Sequence, residues 1–201
     1  VEPLAVAYRA VSKIDEKAIR EADYIMVIGA GTIGALILQI LKLKGAKNVI
    51  VSDLSDFRLE RAKEMGADHT INPGQVDLKT QITKLTGGKM VDYALEAVGV
   101  SATAAQSLEA LKIGGIVVWV GNAQKIIEVN MQKIVTTELT IKGTYIYNED
   151  DFLKSLKLVE EKKINFTPLI SIETELENGE DMFKKLSENK DGKLIKIILK
   201  N

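Results

Sequence analysis

Apolar residues come in short blocks along this chain, and the spacing inside the blocks alternates between two kinds. Tyr24 to Ile28 is an unbroken apolar run, the pattern of a strand buried on both faces. Immediately beyond it Ile33, Leu36, Ile37, Ile40 and Leu41 recur at spacings of three and four, which is one face of a helix, and Gly45 supplies a stop signal. The pair then repeats. Asn48 to Ser52 predicts a second strand, and Asp56 to Met65 a helix that carries Leu59, Ala62 and Met65 inward and stops at Gly66. Thr70 and Ile71 predict a short third strand before a turn at Asn72, Pro73 and Gly74, followed by a helix through Leu78, Ile82 and Leu85 that ends at Gly87 and Gly88. Val91 to Leu95 predicts a fourth strand, Ser101 to Leu111 a helix, Ile116 to Val120 a fifth strand, and the region near Leu139 to Lys142 a sixth.

Strands alternating with helices of this length imply crossover units, hence a parallel sheet covered on both faces. The expected class is α/β, a doubly wound parallel six-stranded Rossmann sheet. In such a sheet a ligand lies outside the carboxyl ends of the strands, where strand order reverses. The segments that fall on that rim are Gly29 to Gly34, Asp53 to Arg58 with Leu54 between, Ala97 and Val98 to Gly99, Gly121 and Asn122 to Ala123, and Thr144 with Tyr145. Beyond Tyr147 the pattern changes to a helix through Phe152, Leu156 and Val159, an extended FTPLISIETEL, a helix carrying Met182, Phe183 and Leu186, and a strand LIKIIL. This short C-terminal α/β segment reads as an appendage or as part of another domain.

Bulk properties narrow the class without naming a partner. The 201 residues suffice for one full core and part of a second. With 27 basic and 28 acidic residues the net charge is -1, so no global field favours nucleic acid or an anionic membrane. There is no cysteine, which excludes disulfides and thiolate metal sites within the chain and fits a reducing cytoplasm. No apolar run is long enough to span a bilayer, and the expectation is a soluble cytoplasmic protein.

The chemistry is concentrated at the first strand–helix junction. Gly29, Gly31 and Gly34 form GxGxxG, in which the first glycine allows a tight turn off the strand, the second close approach of backbone to a pyrophosphate, and the third close packing of helix on strand. Thr32 and Ile33 open the helix beside that pyrophosphate position. Asp53 ends the second strand, where a carboxylate accepts hydrogen bonds from adenosine ribose hydroxyls and repels the 2′-phosphate of NADP, which selects NAD. The competing reading of Asp53 is an exposed acid capping the next helix, where Ser55 and Asp56 also stand. Arg58 can reach the ribose or a phosphate, or pair with Asp56 or Glu60. His69, the only histidine, lies away from the rim, and Trp119 reads as core. No nucleophile, base and acid assemble into a catalytic constellation.

VEPLAVAYRAV, VIGAGTIG, VSDLSDFRLERAKEMGADHTINP, ALEAVG, GGIVVWVG, ELTIKGTY and the terminal DGKLIKIIL, in this order, resemble the medium-chain dehydrogenase/reductase family, especially its zinc-type polyol, butanediol and threonine (sorbitol-dehydrogenase-like) members. The resemblance implies a lead-in from the catalytic domain over residues 1–20, an NAD-binding domain over 21–146 and a return segment of the catalytic domain over 147–201. It further implies that the portion carrying the catalytic zinc's cysteine and histidine ligands precedes Val1. Glu2 matches a glutamate that lies at the zinc in polyol-type members. One carboxylate cannot hold the ion, so zinc belongs to the parent enzyme and stoichiometric retention by this chain is not expected. Arg58 matches a basic position near the adenosine ribose. Val120, Gly121, Thr144 and Tyr145 match positions around the nicotinamide, and Lys196 a basic residue near the pyrophosphate.

The function implied by the resemblance is the cofactor-binding portion of an NAD-dependent, zinc-type dehydrogenase that oxidises a secondary alcohol or polyol, itself binding NAD(H) without turnover. The alternatives are a zinc-independent quinone or enal reductase of the same family and a non-catalytic dinucleotide-sensing module. The expected partner is a small-molecule alcohol, and the family's habit implies a homodimer or homotetramer joined through the apolar edge at Leu139 to Ile141.

Overall fold

A computed structural model describes residues 1–189 and 192–201. Two helices, α1 (Glu2–Val11) and α2 (Glu16–Glu21), precede the first strand. The alternating body follows as β1 (Ile25–Ile28), α3 (Thr32–Leu43), β2 (Val49–Ser52), α4 (Asp56–Glu64), β3 (His69–Ile71), α5 (Leu78–Leu85), β4 (Val91–Glu96), α6 (Ser101–Ala110), β5 (Leu111–Trp119), α7 (Met131–Thr136) and β6 (Thr140–Gly143). The tail adds α8 (Glu149–Glu160), β7 (Ile170–Glu175), α9 (Gly179–Ser187) and β8 (Lys196–Lys200).

The first six strands form one parallel sheet in the order β3-β2-β1-β4-β5-β6. Strand order therefore reverses between β1 and β4, which is where such sheets place their ligand. Register brings the strand ends level: Ile28 pairs with Ser52 and Glu96, Glu96 with Trp119, and Trp119 with Gly143. All four residues of β1 are buried, and they divide by the period of two. Ile25 and Val27 join a core with Leu36, Ile37 and Leu41 of α3, whereas Met26 and Ile28 join the opposite core with Ile50, Ala94 and Val117.

Several boundaries differ from the sequence pattern. The fifth strand begins at Leu111, directly after α6, and not at Ile116. A register shift between Val91 and Tyr93 absorbs the extra residues around Gly114 and Gly115, so glycines that signal a turn lie inside a bulged strand. It ends at Trp119, which leaves Val120 in the following loop, and Trp119 is only partly buried, with its indole Nε1–H donating to Ser107 Oγ at 3.1 Å. Helices α1, α2 and α7 have no counterpart in the pattern. In α1 the buried positions are Leu4, Ala5, Ala7, Ala10 and Val11, and the three alanines are too small to stand out by hydropathy, yet they let α1 lie close on α3.

The tail is less of an appendage than its sequence implies. Asn165 donates its backbone N–H to Gln39 Oε1 at 2.7 Å and accepts from Gln39 Nε2 at 3.0 Å, and Ile164 and Leu169 are buried in the core with α3. Helix α8 packs on α1, tied by Arg9 to Asp151 at 3.4 Å. β7 and β8 pair in parallel as a separate two-stranded sheet. Exposure is concentrated further on, at Leu176, Phe183 and Leu186, and α9 has no buried residue.

Asp92 holds the opposite end of the sheet. Its Oδ2 accepts from Asp23 N at 2.9 Å and Tyr24 N at 3.0 Å, and its Oδ1 from Lys112 Nζ. Burial works to raise this carboxyl's pKa, but Lys112 and the two backbone donors outweigh it and hold it below the ordinary value. A depressed folded-state pKa means stability that is present above the unfolded value near 4 and is lost as pH falls through the folded value. Asp92→Asn should destabilise the chain by about 1–2 kcal/mol at neutral pH, a fall of roughly 2–8 °C in Tm, with the difference from the parent shrinking below about pH 4. Thermal melts at pH 7 and pH 3 check it.

Candidate functional site

The glycine turn is built from three different constraints. Gly29 leaves β1 with φ +93°, and a Cβ there would stand 2.6 Å from Val98 Cγ2, so both its backbone and its surroundings demand glycine. Gly34, on the first turn of α3, would place a Cβ 1.7 Å from the carbonyl oxygen of Gly29, so its absent side chain sets how closely helix meets strand. Gly31 is the opposite case. It has an ordinary extended backbone, φ -70°, and no atom of the described residues lies within 4 Å of the position its Cβ would take. It faces open space at the N-terminus of α3, where no side chain caps the first N–H groups and Thr32 begins the helix. Uncapped amides, a helix dipole and an uncluttered approach suit a phosphate anion. Ile33, half-buried, packs against the core and not into this space.

Asp53 ties this turn to the second strand. Its Oδ2 accepts from Ala30 N at 2.8 Å and its Oδ1 from Ser55 N at 2.9 Å. Helix α4 is capped instead by Ser55 Oγ, which accepts from Arg58 N, so Asp53 is not the cap. Each carboxylate oxygen retains acceptor capacity for a further donor. Arg58 Nη1 lies 3.9 Å from Asp53 Oδ2, while its Nε and Nη2 donate to the carbonyls of Gly192 and Leu194 at 3.1 and 3.3 Å. Its partners are thus Asp53 and the tail, neither Asp56 nor Glu60. Asp56 is engaged by Asn72 and Gln75, whose amides lower its pKa.

A crevice of about 450 Å³ opens between these segments at the reversal point. Gly29, Asp53, the exposed Leu54, Arg58 and Val98 all line it. So do Ser52, Gln106, Asn189 and Gly192, which the sequence pattern does not single out.

The other half of the rim is a joint between two loops. A Cβ on Gly99 would lie 2.2 Å from Asn122 N, and one on Gly121 would lie 2.1 Å from Gly99 N, so the two backbones are in contact. Glu96, at the end of β4, organises both. Its Oε1 accepts from Val98 N and Gly99 N, each at 2.8 Å, and its carbonyl accepts from Val120 N and Gly121 N at 2.8 and 3.0 Å. Ala97 N donates to Ile28 O, and Thr144 N to Trp119 O. Thr144 Oγ1 is buried with no hydrogen-bond partner among the described residues, Asn122 is exposed, and Tyr145 is 78% exposed. Glu96 does not stand out in the sequence because an acid closing a strand resembles any strand end; the one signal is its place immediately before the Val98–Gly99 turn.

Lys196 lies elsewhere, on β8, where it lines an apolar cavity of about 340 Å³ with Thr32, Leu36 and Pro3. It is therefore beside the start of α3 but outside the 450 Å³ crevice. Glu2 is exposed in the first turn of α1. Among the described residues no group of three or more histidine, cysteine, aspartate or glutamate side chains gathers as a metal site. A zinc ion needs at least three protein ligands, so the residues present do not fit one by themselves. His69 opens β3 and lines a shallow groove with Asp68, Gln75 and Gln81.

Residues 32–161 match the model of a protein family described as zinc-binding dehydrogenase. The chain belongs to this zinc-binding dehydrogenase family. Among its relatives is the (R,R)-butanediol dehydrogenase of Neisseria gonorrhoeae, 36% identical over 99% of this chain and 55% of that protein. Two solved dehydrogenase structures superpose closely. A short chain alcohol dehydrogenase from Escherichia coli CFT073, complexed with NADH, is 26% identical with a TM-score of 0.87 over all of this chain and 58% of its own. A zinc-binding dehydrogenase from Sinorhizobium meliloti, bound to NADP, is 29% identical with a TM-score of 0.81 over 90% of this chain and 53% of its own. The chain spans about half the length of the curated relatives it matches. These two neighbours share a dinucleotide and differ at its 2′ position, one carrying NADH and the other NADP.

Proposed function

We propose that this member of the zinc-binding dehydrogenase family binds NAD(H) as the cofactor-holding portion of an enzyme that oxidises a secondary alcohol or polyol. The observation that carries the reading is the Asp53 carboxylate fixed between Ala30 N and Ser55 N at the edge of the crevice, with the open face of Gly31 beside it. Asp53 would accept from the ribose hydroxyls, the α3 N-terminus with Gly31 and Thr32 would receive the pyrophosphate, and the Val98–Gly99–Gly121 joint with Thr144 would hold the nicotinamide half. Bound NAD supplies a hydride acceptor for the alcohol carbon. The contribution of these residues is to bind and orient that acceptor. Val98, in contact range of Gly29, walls the crevice against water on its apolar side.

In this reading substrate binding and zinc chemistry belong to the remainder of an enzyme of the relatives' length, of which this chain spans about half. The expected result is that calorimetry finds NADH bound at one site per chain, with no reduced cofactor accumulating when NAD and sorbitol, butanediol or threonine are added. Absence of NADH binding would refute the cofactor reading, and sustained turnover would refute the division of labour. Assembly as a homodimer or homotetramer belongs to the same reading, supported by the open β6 edge with its exposed Ile141.

A further inference from the structure

We propose that Glu96 is an electrostatic positioning residue of the nicotinamide half, whose buried charge strengthens binding of the oxidised cofactor relative to the reduced one. This rests on the reading of the chain as an NAD(H)-binding protein. Glu96 is 1% exposed. Its carboxylate accepts only backbone N–H groups, from Val98 and Gly99, and among the described residues no lysine, arginine or histidine forms an ion pair with it. The turn it supports could be held without a charge, because a glutamine carbonyl oxygen accepts the same two donors. Glutamate therefore gives this turn an ionisable group that the turn itself does not require.

Placement suggests what the charge meets. Glu96 is in register with Ile28 on one side, one residue before Gly29, and with Trp119 on the other, at the end of β5. Asp53 marks the β1–β2–β3 half as the adenosine side, so the second mononucleotide belongs over the ends of β4, β5 and β6, the loops that Glu96 holds. The oxidised nicotinamide ring carries a positive charge that the reduced ring lacks. Glu96 therefore interacts differently with the two redox states, and its attraction favours the cationic one. At an effective dielectric of about 20, a pair of opposite unit charges still biases an equilibrium severalfold at separations on the order of 10 Å. The direction suits alcohol oxidation, since it favours capture of the oxidised cofactor and release of the reduced one.

The test is calorimetric titration of the full chain, Glu96→Gln and Glu96→Asp with NAD+ and with NADH. In Glu96→Gln the ratio of the NAD+ Kd to the NADH Kd should rise by roughly three- to tenfold. In Glu96→Asp, which keeps the charge but shortens the reach to Val98 N and Gly99 N, both affinities should weaken together with the ratio held within about twofold. A glutamine variant in which both constants move by one factor, or neither moves, overturns the proposal, because a purely structural residue would behave that way. If the glutamine variant does not fold, the aspartate variant decides, and a ratio displaced as far as a lost charge would displace it refutes the idea. A parent chain that binds neither form removes the cofactor reading itself, a failure distinct from an unchanged ratio.

Discussion

Gly34→Ala should destabilise the chain by about 3 kcal/mol and weaken NADH binding by roughly a hundredfold or more, whereas Gly31→Ala should leave stability nearly unchanged and still weaken binding. Helix propensity alone favours alanine at position 34 by about 1 kcal/mol. The steric term is larger: the new methyl would lie 1.7 Å from the Gly29 carbonyl oxygen, a backbone atom that can yield only if α3 moves off β1. That movement would disturb the Gly29 turn and the Ala30 N–H held by Asp53. At position 31 the backbone is compatible with any residue and the methyl meets no atom of the described residues. Its effect should be confined to the ligand, with Tm within about 2 °C of the parent and Kd for NADH raised about tenfold. Thermal melts with NADH titrations separate the two cases; a Gly31→Ala chain that binds NADH as well as the parent would contradict the pyrophosphate assignment.

Asp53→Asn should convert a preference for NADH over NADPH into near-equal or reversed affinity. A carboxylate and a 2′-phosphate about 4 Å apart repel by roughly 4 kcal/mol per unit charge at an effective dielectric of 20. Arg58, 3.9 Å from the same carboxylate, offsets much of this, so the parent's preference should be nearer tenfold than a thousandfold. Removing the negative charge leaves Arg58 beside the ribose position with the carbonyls of Gly192 and Leu194 as its other side-chain partners among the described residues, and a 2′-phosphate becomes a better partner than either. Affinity for NADH should fall as well, by about tenfold, because the asparagine amide cannot accept at both oxygens. Equal affinity for NADH and NADPH in the parent would show that Asp53 does not read the ribose.

The alternating body of the fold is legible in the sequence because its two periods differ so clearly. The apolar run before Gly29 and the three-and-four spacing after it could hardly serve any other arrangement, and the observed β1 and α3 follow them closely. The misses have physical causes. Helix α1 buries alanines, whose small size hides an amphipathic face. Gly114 and Gly115 mark a bulge within β5, since glycine signals special backbone whether or not the strand ends there. At the site, GxGxxG and Asp53 are local motifs and are visible as such. The bonds from Arg58 to Gly192 and Leu194 span most of the chain, and Glu96 matters through its own two donors and the loop after β5, so neither relation has a signature in residue spacing.

The reversal of strand order between β1 and β4 also has a kinetic consequence. Ile25 finds Val49 on one side and Tyr93 only much later on the other. Closing the longer loop costs about 1 kcal/mol more in chain entropy, before any packing compensates for it. A ribosome that releases this chain from its N-terminal end therefore delivers the glycine turn, α3 and Asp53 as one early unit. The Glu96 side of the crevice can be completed only after β4 and β5 have emerged, so the two halves of the cofactor cradle are expected to mature in sequence during synthesis.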